Sequence, residues 1–460
     1  MRALKARPTR IAVAAIAAIA LGGTGATAVG TAAGASAAHP STTHLSAVRP
    51  IPAITGHVLA KNLAFPPDTA YCQTNIGISC YSPIQYQKAY NLKPLYDLGI
   101  TGKGRTIAIV DAFGSPTIAN DLHVFDQNYG IADPPSLKII QPVGTFTFDN
   151  TDPTQLGWAT ETTLDVEYAH AIAPQANILL VETPVAETEG VTGLPEIMAA
   201  ENYVINHNMA DVITQSFGAT ENTFPSKQSL LDLRSAFINA DKHGVTVLAS
   251  SGDNGATSQI LDGSADYPYP VNSWPSSDPL VTSIGGTQLH LDAVGNRISP
   301  DVTWNDGYGA TGGGLSQVFS RPAFQNGVRS IVGSVRGTPD ISMSAAVDGA
   351  AIFYYSFDPT FVGWHLVGGT SEASPLFSGI VALTAQLAHH KLGNINGSLY
   401  ALNALHAPGI VDVTSGDNSF AGVTGYPALK GYDLSTGIGT INATKFVPTL
   451  ALASLFHAGW

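Results

Sequence analysis

The chain has 460 residues, with 21 Lys and Arg against 34 Asp and Glu and a formal charge of −13 at pH 7. That length suits one large domain or two to three smaller ones, and an acidic balance without a basic patch excludes a nucleic-acid partner. With so few cations, little repulsion remains once carboxylates neutralise at about pH 3 to 4, so the composition tolerates acid; many exported proteins share this acidic, sparsely charged make-up.

Arg2, Lys5, Arg7 and Arg10 open the chain, an Ala/Ile-rich run spans Ile11 to about Leu21, and small residues Ala35-Ser36-Ala37-Ala38 follow. This order predicts a secretory signal peptide over residues 1–38 and an extracellular product. The apolar run is too short and too weakly flanked for a membrane span, so no stable membrane association is expected after its removal. Residues 39–65, rich in Pro, Ala and Thr, read as a short propeptide or linker, and a globular domain is expected over 66–460. The only cysteines, Cys72 and Cys80, predict a local disulfide outside the cytosol. No His or third Cys lies near them at metal-ligand spacing.

Short β-branched runs follow at Thr106–Val110, Ile178–Val181, Asp211–Gln215, Val245–Ala249 and Leu280–Ser283. Helical candidates lie between them at about 157–171, 194–207 and 228–243. Apolar strands alternating with helices predict an α/β fold, a mostly parallel sheet covered on both faces. Ligand sites in such sheets lie beyond the carboxyl ends of the strands. Asp111, Ser216-Phe217-Gly218 and Ser250-Ser251-Gly252-Asp253 fall there.

Within the first helical candidate, Glu161 and Asp165 are four residues apart and so share one face. Buried together, two carboxyls cannot both ionise easily, and one keeps its proton. Such a pair can remove a serine's proton in acid, where a histidine base would be protonated. The same spacing also reads as a solvated acidic helix face. Asp253, in Ser-Gly-Asp-Asn-Gly, could donate a hydrogen bond to an oxyanion when protonated, or simply belong to an Asn-Gly turn.

Near the C-terminus, Gly368-Gly369-Thr370-Ser371-Glu372-Ala373-Ser374-Pro375 precedes an apolar segment. Pro375 suits the first turn of a helix. Ser371 would then sit at a helix N-terminus beside unpaired N–H groups, a good position for a nucleophile and a developing oxyanion. It would serve equally as an ordinary N-cap.

Taken together, Glu161-x-x-x-Asp165 followed by Ala-His-Ala-Ile-Ala-Pro, then Ser-Gly-Asp253, then Gly-Thr-Ser371-x-Ala-Ser-Pro, resemble the sedolisin family of serine-carboxyl peptidases from about Cys72 to Ile441. The resemblance implies a subtilisin-like fold and an acid-active endopeptidase or tripeptidyl-peptidase acting on proteins or peptides, here a secreted, short-propeptide monomer. It makes Ser371 the nucleophile, Glu161 the general base and acid, Asp165 its orienting partner, and Asp253 part of the oxyanion hole with the Ser371 N–H. It also implies one structural Ca2+, held by Asp412 and Asp433 side chains and the carbonyls of Val413, Leu429 and Gly431. Ser216, Phe217 and Gly218 match the edge that pairs with substrate backbone. Two departures stand out. Only about thirty residues separate the signal from the globular part, where the family usually carries a large prodomain. Glu372 follows the nucleophile, where a small residue is common.

Two other readings compete. An Asp-His-Ser subtilase would use Asp111 at its strand end, but it needs a positioned histidine, and only His170 lies in the right region. A non-catalytic secreted binding protein on the same scaffold is the other.

Overall fold

The computed structural model describes residues 55–63 and 65–457. The expected signal peptide and the first part of the expected propeptide, up to residue 54, lie outside the described residues. The predicted strands are all present, at Thr106–Ala112, Asn177–Thr183, Val212–Gln215, Thr246–Ser250 and Thr282–Gln288. They belong to one eight-stranded sheet, in the order Val302–Thr303, Thr282–Gln288, Thr246–Ser250, Val212–Gln215, Thr106–Ala112, Asn177–Thr183, Leu137–Ile140, with Ile341–Ser344 also paired to Thr282–Gln288. Every pairing is parallel except that of Val302–Thr303.

Alternation along the strand Thr106–Ala112 explains why Ile107 to Val110 are all apolar. Ile107 and Ile109 enter the core shared with the helices Pro153–Ile172 and Thr370–Ala388. Ala108, Val110 and Ala112 enter a second core with Leu194–Asn206 and Ser235–Lys242. Successive side chains point to opposite faces, so a strand covered on both sides has no solvent face. The helix expected over 228–243 is two, Lys227–Leu231 and Ser235–Lys242. Between them Arg234 turns to bind the buried Asp278 through two hydrogen bonds, at 2.5 and 2.9 Å.

A smaller sheet orders Thr55–Leu63, Gly363–Gly368, Ala350–Tyr355 and Cys80–Tyr81. Residues 55–63 fall within the stretch expected to be propeptide or linker, yet form a strand antiparallel to Gly363–Gly368. That neighbour leads directly into the helix carrying Ser371. Cys72 and Cys80 are joined by a disulfide with Cα atoms 5.9 Å apart, tying the helix Thr69–Asn75 to the strand Cys80–Tyr81.

Candidate active site

Two helices bring Glu161, Asp165 and Ser371 together. Pro153–Ile172 starts with Asp152, whose carboxylate accepts from the Thr154 N–H at 2.9 Å, and Pro153 takes the first position, where no N–H is needed. From Trp158 to Ile172 every residue is buried. Glu161 and Asp165 are therefore fully enclosed, which rules out the solvated-face reading.

The second helix, Thr370–Ala388, is preceded by Gly369 at φ 148°, and no side chain caps it. Ser371 is thus not an N-cap but a residue of the first turn, among N–H groups that the helix leaves unpaired. Pro375 lies one turn deeper than expected, in the helix interior. It has no N–H to give the Ser371 carbonyl four residues earlier. The two helices cross closely at Gly379, where a Cβ would come within 2.6 Å of Ile172 Cβ.

Ser371 acts on the Glu161 carboxyl as a hydrogen-bond partner that favours its ionised form. Neither Glu161 oxygen has a partner at regular hydrogen-bond geometry, a looseness common in catalytic pairs before substrate arrives. Burial, and then the charges of Asp165 and Asp111, push Glu161 well above the ordinary carboxylate range. Burial, and then Asp111, raise Asp165 likewise, opposed by a hydrogen bond from Ser216. That bond runs from Ser216 Oγ to Asp165 Oδ1 at 2.9 Å.

Asp111 is the third carboxyl of this cluster. It accepts from the Thr162 hydroxyl at 2.9 Å, and burial pushes it up to about 7. An Asp-His-Ser triad would need a histidine between Asp111 and Ser371, and the side chain hydrogen-bonded to Asp111 is that of Thr162. His170 is instead packed in the core, with Nε2 3.2 Å from Asp126 and 3.1 Å from the Ala132 carbonyl.

Asp253 lies past the carboxyl end of Thr246–Ser250. Its Oδ1 accepts from the Thr370 N–H and the Thr370 hydroxyl, each at 2.8 Å. Nothing in the sequence singles out Thr370 beyond its place before Ser371, yet it anchors Asp253 to the turn that carries Ser371. Glu372 turns away from Ser371 into a fully buried site, where burial pushes it up to about 8 against the hydroxyls of Tyr86 and Ser344.

The substrate-edge expectation is narrowed. Ser216 and Phe217 are fully buried, with Phe217 packed on Trp158 at 6.3 Å between ring centroids. Ser216 gives its hydroxyl to Asp165, and the Gly218 N–H stabilises the buried Glu187 carboxylate. Any pairing with substrate here belongs to the remaining backbone groups, because the side chains are turned into the core.

The expected calcium segments also meet. Both Asp412 oxygens accept from the Gly431 N–H, at 3.1 and 3.0 Å. Asp433 Oδ2 accepts from Leu429 N–H at 2.9 Å, while Oδ1 is held by Ser435 and Thr436. Among the described residues no group of three or more His, Cys, Asp or Glu could hold a metal ion. A cation here would take most of its ligands from backbone carbonyls, and an all-oxygen set of this kind fits a hard ion such as calcium.

Residues 151–402 match the subtilase family. The chain belongs to that family. Within the family its relatives are serine-carboxyl peptidases, as the motifs imply. It is 31% identical over 379 residues to kumamolisin from Bacillus sp. (strain MN-32), covering 79% of this chain and 62% of that protein. It is 30% identical over 351 residues to sedolisin from Pseudomonas sp. (strain 101), covering 75% of this chain and 57% of that protein. Its fold superposes on the structure of Pseudomonas sedolisin, a serine-carboxyl proteinase complexed with two molecules of pseudo-iodotyrostatin, with a TM-score of 0.70 at 28% identity. That match covers 83% of this chain and all of the other. The chain thus spans less than two thirds of the length of these two curated relatives.

Proposed function

We propose that this chain is a secreted, acid-active serine-carboxyl peptidase that cleaves proteins or peptides as a monomer. The observation that carries the reading is a buried carboxyl pair, Glu161 and Asp165, on the helix packed against the one that begins beside Ser371. Ser371 Oγ attacks the peptide carbonyl carbon while Glu161 takes its proton. The C–N bond then breaks as Glu161 returns that proton to the leaving amine. Water then attacks the acyl carbon as Glu161 takes its proton, and the bond from that carbon to Ser371 Oγ breaks as Glu161 returns the proton to Oγ. Asp165 holds the second proton of the pair and orients Glu161. Asp253 Oδ1 is engaged by Thr370, so a proton on Asp253 belongs on Oδ2, which donates to the oxyanion alongside the Ser371 N–H.

Acid operation follows from charge. A Glu161–Asp165 pair stripped of both protons in a dry site is strongly disfavoured, and an ionised Asp253 would repel the oxyanion. The basic and apolar order of residues 1–38 supports secretion, and no helix among the described residues is long and apolar enough to cross a membrane. A structural calcium ion would be held by Asp412, Asp433 and the carbonyls of Val413, Leu429 and Gly431, supplying stability and no chemistry.

The deciding experiment is the pH dependence of cleavage of an unfolded protein, run beside Ser371→Ala. An acid optimum lost in the variant is expected. An alkaline optimum lost in the variant would move the case to a histidine-based subtilase, and no cleavage by either protein to a binding role.

A further inference from the structure

Ser216 and Thr214 lie two residues apart at the end of the strand Val212–Gln215. In extended chain they project to the same face, toward the two catalytic helices. Thr214 Oγ1 meets Ser374 Oγ at 2.8 Å. Ser216 Oγ lies 2.9 Å from Asp165 Oδ1 and 3.4 Å from the Ser371 carbonyl, which Pro375 deprives of its helical donor. A serine hydroxyl has one proton to give. The shorter contact claims it, and the longer one makes the Ser371 carbonyl a secondary acceptor.

Resting on the serine-carboxyl reading above, we propose that Ser216 is a positioning residue for the reaction: by donating to Asp165 Oδ1 it leaves Oδ2 as the oxygen that carries the proton shared with Glu161, and it ties the carboxyl pair to the first turn of the nucleophile's helix. Asp165 Oδ2 has no other partner in the buried site, as this assignment requires. A carboxyl with one oxygen accepting a hydrogen bond bears its proton on the other, so the bond fixes which way Asp165 can pass a proton. Without it the carboxyl can rotate and point the proton away from Glu161.

The charged groups around this bond are all acidic. Asp111 faces Asp165 from the strand Thr106–Ala112, Glu161 lies one turn away on the same helix, and Asp253 acts on Glu161 from the loop after Thr246–Ser250. Glu187 acts on Asp111 from the loop after Asn177–Thr183. No cation compensates them in these contacts, so the Ser216 hydroxyl is a neutral donor that favours ionised Asp165.

The test compares Ser216→Ala with wild type, and uses Thr214→Val as a neighbouring loss of a buried hydroxyl that touches no carboxyl. For Ser216→Ala, kcat should fall about tenfold with KM little changed, and the neutral-side limb of the kcat profile should move up by about one pH unit. Thr214→Val should leave that limb in place. The infrared carbonyl band of protonated Asp165, assigned by its loss in Asp165→Asn and followed in the Ser371→Ala background, should persist to higher pH when Ser216 is also replaced. A limb and band unmoved by Ser216→Ala, with acid cleavage intact in wild type, overturn the proposal alone. An equal limb shift in Thr214→Val overturns it too, since the effect would then be general loosening. Wild type without acid cleavage overturns the peptidase reading and this proposal with it, whatever the band does.

Discussion

At the scale of residues, the site is a contest between burial and neighbouring charge. Glu161, Asp165 and Asp111 are all buried; the charge of Asp111 raises the affinity of both others for protons, and that of Asp165 raises Glu161's. Burial pushes Asp111 up to about 7, so its charge appears on approach to neutrality and holds protons on the Glu161–Asp165 pair. In Asp111→Asn that charge never forms. The neutral-side limb of the activity profile should then move to lower pH, opposite in direction to the shift expected for Ser216→Ala. A kcat profile across the acid to neutral range checks this, and an upward move would mean that Asp111 does not act on the pair by charge.

At the scale of elements, the register of the two central helices matters most. Gly379 lets Pro153–Ile172 approach Thr370–Ala388 so closely that an added methyl would overlap Ile172. Gly379→Ala gains about 1 kcal/mol in helix propensity but meets an overpacking cost of about 1–3 kcal/mol. The overpacking cost is the larger over most of that range, so the variant should melt lower and lose kcat, because the helices that present Ser371 and Glu161 move apart. A melting temperature at or above wild type would show that the crossing has slack. The C-terminal loops form a second element-scale case. If the Asp412 and Asp433 segments hold calcium, the ion binds only the folded chain. Its removal then costs about 2.7 kcal/mol at a hundredfold excess over Kd. Chelation should lower the melting temperature by several degrees, restored by added Ca2+; an unchanged melt with metal content measured as nil would remove the site.

At the scale of the whole molecule, the interior holds many carboxyls, among them Glu161, Asp165, Glu167, Glu187, Glu201 and Glu372, but Arg336 is the only Lys or Arg among its described buried residues. Arg336 is already paired with Asp340 at 2.5 Å. Burial raises all six of these carboxyls in the folded state. The folded chain therefore binds more protons than the unfolded one above the ordinary carboxylate range. The stability these groups contribute is full below about pH 4, and it is lost as pH rises toward their folded values. The melting temperature should accordingly fall between about pH 4 and pH 8. Glu372, at about 8 and outside the proposed chemistry, tests this cleanly. Glu372→Gln cannot ionise, so at pH 8 it should melt about 2 °C or more above wild type while matching it at pH 4. A variant no more stable at pH 8 than wild type would take Glu372 out of the pH response.

Much of this arrangement was legible in the chain itself. Alternating apolar strands and helices specify a parallel sheet, because a strand covered on both faces has no solvent side and is apolar over most of its length. The spacing of Glu161 and Asp165 puts them on one helix face whatever surrounds them, and the two cysteines had only each other. Tertiary structure decided the rest, because burial and approach depend on segments far apart in sequence. It enclosed the acidic pair, which local pattern leaves equally open to solvent. It turned Phe217 and the Ser216 hydroxyl inward, since the strand end beneath the helices faces Trp158 and Asp165. It set Pro375 inside the helix that carries Ser371 and Glu372 among tyrosines, and it brought Asp111 beside Asp165 across more than fifty residues of chain. The chemistry of each group is written in its side chain; the protonation state in which it works depends on neighbours that only the folded chain supplies.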